Sequence, residues 1–131
     1  MSNELGERCS VIEECYEYML AYAGQGVSGL GAGTIRDFLS RAAQALAGIE
    51  DAYASAVSSA GPYAAFQALL ARDAQDSLVA VELVLAQPAI SSQLIDNLNA
   101  NIHLRALLTD LFLIDEILKG SQKQESPAGA A

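Results

Sequence analysis

Apolar residues recur at spacings of three and four along four stretches of this chain, and three breakers part the stretches. The breakers are the glycine-rich run Gly24 to Gly33, the Gly61-Pro62 pair, and Gln87-Pro88. This pattern predicts four amphipathic helices. In the first, from about Asn3 to Ala23, the residues Leu5, Cys9, Ile12, Tyr16, Met19 and Ala23 share a face, and Cys15 and Tyr22 widen it. The second runs from Thr34, an expected N-cap, to Val57, with Ile35, Phe38, Leu39, Ala42, Leu46, Ile49, Tyr53 and Ala56 on its stripe. Gly48 falls inside it, at a cost of about 1 kcal/mol relative to Ala.

The third helix opens at Pro62, which suits a first turn, and runs to about Ala86. Tyr63, Phe66, Leu70, Ala74, Ser77, Val81 and Val84 line one face. Between Leu78 and Ala86 the helix is apolar nearly all round, with Glu82 as its single charge, so this half needs extra cover. The fourth helix begins near Ser91 or Ser92 and ends at Lys119, followed by Gly120 as a C′ residue. Its apolar positions change sides. Leu94, Ile95, Leu98 and Ile102 share one face, whereas those from Leu104 to Leu118 centre on nearly the opposite one. A straight helix cannot bury both, so a kink or break is expected near Asn99 to Asn101, where poor helix formers gather.

The expected fold is therefore all-α: an antiparallel up-and-down four-helix bundle over residues 1–120, followed by a polar, small-residue tail over 121–131 that reads as disordered. A chain of 131 residues is long enough to bury a core without staples.

Composition narrows the function classes. Hydrophobic residues make up 52% of the chain and charged residues 18%, with a net charge of −9. That charge disfavours nucleic acid and anionic membranes, whose binding rests on Lys and Arg. No run of 18 apolar residues exists to span a bilayer, and the N-terminal residues show no secretory signal. Cys9 and Cys15 lie six positions apart on one helix, about 9 Å of rise, too far to bridge each other. Two reduced core thiols fit a cytoplasmic protein.

Residues 1–23 carry five Glu and one Arg, a net −4, more than any other segment. Glu7, Glu13, Glu14 and Glu17 turn away from the apolar stripe. They make either a solvated face or a docking surface for a basic partner. Tyr16, Tyr18 and Tyr22 either line a pocket or pack their rings inward and keep the hydroxyls at the rim.

Other candidate chemistry is sparse. Gly24-Gln-Gly-Val-Ser-Gly29 spells a dinucleotide fingerprint, but a helix precedes it where a strand is required. Asp96, His103 and Asp110 are spaced by seven, which stacks them along one helix line. With Asp73 of the third helix, His103 and Asp110 are the candidates for an interior metal or proton site. Against that, successive members sit about 10 Å apart, and the chain holds one histidine. The plainer role is a set of polar positions fixing register. The cysteines lie on the apolar stripe, where thiols are inert, and His103 lacks the small-residue clearing a phosphoacceptor needs. No cofactor is expected.

The sequence thus points to a non-enzymatic, acidic helical interaction or assembly protein, adaptor-like or chaperone-like. It is expected to act as a homo-oligomer and to take a basic or apolar partner. The alternative is a metal-binding or small-ligand-binding bundle with an interior His/Asp site.

Overall fold

The computed structural model describes the backbone of residues 3–25, 32–57 and 60–130, and the side chains of residues 4–24, 35–57 and 60–120. Among the described residues there are six α-helices and no β-strand: α1 (Asn3–Gln25), α2 (Ala32–Ala47), α3 (Ile49–Ala56), α4 (Gly61–Leu85), α5 (Ser92–Ala100) and α6 (Ile102–Ala130). The protein is all-α, as its periodicity predicts. The expected four helices are six, because the second and fourth amphipathic stretches are each cut in two.

The second stretch breaks at Gly48, which the sequence reading kept inside one helix. The cause is a partner from α1. The Arg8 guanidinium lies where a Cβ on residue 48 would stand. Its Nη1 donates to the carbonyls of Gln44 (2.9 Å) and Ala45 (3.3 Å). A continuous helix would satisfy those carbonyls with the amides of residues 48 and 49. Arg8 takes their place, and its charge suits the negative end of α2. α3 restarts at once, with the Ala52 amide donating to Gly48 O (3.1 Å).

The fourth stretch breaks at Asn101, inside the region where its apolar positions change sides. Asn101 is extended (φ −65°, ψ 126°), and its Oδ1 accepts from the His103 amide at 2.8 Å, capping α6. The break lets α5 bury Ile95 and Leu98 mainly against α1, while α6 buries Leu104, Leu107, Leu111 and Ile114 mainly against α4. Ile102, grouped with the first face in sequence, is 70% exposed, because it sits on the first turn beyond the break.

Elsewhere the apolar stripes go where their spacing directs. Leu5, Ile12, Met19, Ile35, Leu39, Tyr53, Leu70 and Leu111 are among the largest fully buried side chains. Ser91 caps α5, its Oγ accepting from the Leu94 amide at 3.0 Å. Residues 86–91 are tied down from two sides. Tyr22 of α1 donates its hydroxyl to Ile90 O at 2.7 Å. Arg36 of α2 donates to Leu85 O (2.9 Å) and to Gln87 O.

The extra cover expected for residues 78–86 is missing within one chain: Val79 and Leu83 stay 55% and 65% exposed. The α6 backbone continues past Gly120, where the sequence reading ended the helix, to Ala130. The side chains of the expected tail and most of the glycine-rich run lie outside the described residues, and α2 starts at Ala32, which puts Thr34 inside the helix and not at its expected N-cap. No helix among the described residues is long and apolar enough to cross a membrane.

Candidate functional site

The seam between α4 and α6 brings together two half-buried acids, Asp73 and Asp110. The two helices cross antiparallel, because Asp73 meets Asp110 while Asp76, one turn along, meets His103. The line of three read from the sequence does not survive the break at Asn101. Asp96 lies on α5, exposed, and only His103 and Asp110 share α6. His103 Nδ1 lies 3.7 Å from Asp76 Oδ2, an ion pair when the imidazole is protonated. Asp76 was not among the sequence candidates, since nothing local marks it.

Asp110 stands next to the core residue Leu111 and one turn from Leu107 and Ile114. Its Oδ2 is buried with no hydrogen-bond donor to receive. Its carboxyl is in hydrogen-bonding contact with that of Asp73. Two ionised carboxylates hold no donor between them, so the contact is satisfied only when a proton sits on one of them. Burial first, then the Asp73 contact and its charge, push the Asp110 pKa up to about 8. That shift favours a proton on Asp110 at neutral pH. Two of the sequence candidates, Asp73 and Asp110, thus come together, and His103 pairs elsewhere. Among the described residues no three His, Cys, Asp or Glu side chains gather in a way that could hold a metal ion.

The acidic face of α1 is split. Glu7, Glu14 and Glu17 are exposed, but Glu13 is half-buried and accepts the Cys9 thiol proton at 3.1 Å. Glu13 sits one turn from Cys9, so it flanks the stripe rather than opposing it. Both cysteines are free and buried. Burial, then the Glu13 contact, pushes Cys9 up to about 12, and burial does the same for Cys15. These thiols are packing groups with little thiolate at neutral pH.

Two grooves open beside α6. One, of about 240 Å³, has Glu13, Tyr16 and Glu17 on the α1 wall and Arg105, Leu108, Thr109 and Phe112 on the α6 wall. The other, of about 280 Å³, is apolar and lined by Tyr53, Pro62, Tyr63, Phe66, Leu113, Ile114 and Ile117. Beside these grooves Phe112 and Leu113 are half exposed. Of the α1 tyrosines, Tyr16 lines the first groove, Tyr18 stacks on Phe38 with ring centroids 4.3 Å apart, and Tyr22 holds Ile90. The glycine string follows a helix, not a strand, so the context a dinucleotide turn needs is absent.

Comparisons with protein-family models, with curated proteins and with solved structures each give no significant match, so function is read from the residues and their geometry.

Proposed function

We propose that this chain is a non-enzymatic interaction or assembly protein that works as a homo-oligomer, with an adaptor-like or chaperone-like role toward a basic or apolar partner. The observation that carries the reading is the apolar surface of α6. Phe112, Leu113 and Ile117 project from it beside a preformed apolar groove, while Val79 and Leu83 project from α4. Grouped exposed side chains of this size mark association surfaces. A second copy is the occupant favoured for the α6 face, because the chain is one-half hydrophobic and Phe112, Leu113 and Ile117 group there beside the apolar groove. The exposed Glu7, Glu14 and Glu17 leave α1 as the face for a basic partner, and Arg105 across the groove limits how much of that charge lies free. The interior metal or ligand site weighed from the sequence gains no support, since Asp73 and Asp110 pair with each other while His103 pairs with Asp76.

Sedimentation velocity across micromolar concentrations tests the assembly reading. A dimer or larger is expected, and Leu113→Glu with Ile117→Glu should shift it toward monomer while circular dichroism stays helical. A native chain that sediments as a 13.7 kDa monomer throughout overturns it.

A further inference from the structure

The Asp73–Asp110 contact is unusual on physical grounds alone. Two acids of like charge face each other across a packed helix seam, and one of their oxygens is shut away from water without a donor. Among the described residues, no cationic group acts appreciably on Asp110. On α4, Arg72 is exposed and next in sequence to Asp73, about 100° around the helix. Asp76, one turn on, adds a third carboxylate and is met by His103 at 3.7 Å. On α6, Arg105 faces the α1 groove with Glu13 and Glu17, and Asp115 pairs with Lys119 at 3.1 Å. From α5, Asp96 is exposed, and of all these groups only Asp73 acts appreciably on Asp110.

We propose that the Asp73–Asp110 carboxyl pair is a proton-dependent clasp between α4 and α6: one shared proton joins the helices, and its loss sets two like charges across the seam and loosens it. The direction with pH follows from the proton count. Asp110 keeps its proton in the fold up to about pH 8, whereas an unfolded aspartate releases it near 3.8. Between those values the folded chain holds one proton more than the unfolded one, so each step upward in pH removes stability. The contribution is whole below the unfolded value and gone once pH has risen past the folded one. Loosening the seam would uncover core surface between α4 and α6. The clasp does not depend on the assembly reading.

The test uses the full chain. Thermal melts are recorded from pH 5 to 9 for the native protein, Asp110→Asn and Asp73→Asn. The native melting temperature should fall steadily over that range. Asp110→Asn should melt above the native protein at pH 9 and lose most of the slope, since an amide donates to the Asp73 carboxylate with no titrating proton. Infrared spectra in D2O give a readout independent of folding energetics: a protonated-carboxyl C=O band should be present at pH 7, fade by pH 9, and be missing from Asp110→Asn. Amide exchange in α4 and α6 should quicken over the same interval in the native chain. A pH-independent native melt, or no protonated-carboxyl band at pH 7, overturns the clasp. So does an Asp110→Asn protein that keeps the native slope.

Discussion

Arg8 rests its guanidinium on Gly48 and donates to the two carbonyls that the helix break at Gly48 leaves open. One side chain therefore both requires and rewards the break. A methyl group at position 48 would displace it, although Ala favours a helix over Gly by about 1 kcal/mol. The charged hydrogen bonds at stake are worth about 1.5–3 kcal/mol, toward the lower end here because the Arg8 side chain is 29% exposed. Gly48→Ala should thus destabilise the native protein by about 1 kcal/mol or less, the small difference between those terms. In an Arg8→Met background the same substitution should become stabilising, and a double-mutant cycle by urea melts should return a coupling of about 1–2 kcal/mol. Equal effects in both backgrounds would show that the break does not depend on Arg8.

Tyr22 reaches Ile90 O through a buried hydroxyl at 2.7 Å. Tyr22→Phe keeps the ring and strands the carbonyl. Equilibrium unfolding should report a loss of about 1–3 kcal/mol, the desolvation cost of an orphaned buried acceptor. A loss of only a few tenths would mean that water replaces the hydroxyl.

Cys9 and Cys15 should resist thiol reagents in the fold. Their pKa values, pushed up to about 12 chiefly by burial, leave almost no thiolate at pH 8, where an ordinary cysteine near 8.5 is partly ionised. Ellman's reagent at pH 8 should label neither thiol rapidly in native buffer and both promptly in urea. Fast stoichiometric labelling of the folded chain would contradict this burial.

The stripes were legible because they are local. Leu5, Cys9, Ile12 and Met19 announce the buried face of α1 by spacing alone, and the change of sides after Leu98 announces a break that falls at Asn101. The break at Gly48 was not legible, because its cause lies 36 residues or more away in Arg8. The same limit hid the acid seam. Asp73 and Asp110 could be singled out as polar residues near apolar faces, but their meeting depends on how α4 and α6 cross. The even spacing of Asp96, His103 and Asp110 pointed to a continuous line, and the capping of α6 by Asn101 dissolves it. Exposure of Val79 and Leu83 was foreshadowed by the all-round apolar run from Leu78 to Ala86, whereas that of Phe112, Leu113 and Ile117 was not.

The tethering of residues 86–91 by Tyr22 and Arg36 bears on how the protein comes off the ribosome. The apolar stripe of α1 is made early in synthesis, but part of what closes over it, Ile90 and the helix behind it, is made much later. Until Ile90 has cleared the exit tunnel, Tyr22 has no acceptor and the part of α1 that α5 will cover faces solvent. The nascent first third of the chain thus waits, with its apolar face partly bare, for most of the remainder to be translated. Truncations that stop before residue 90 should therefore stay bound to chaperones, whereas chains released after α5 is complete should not.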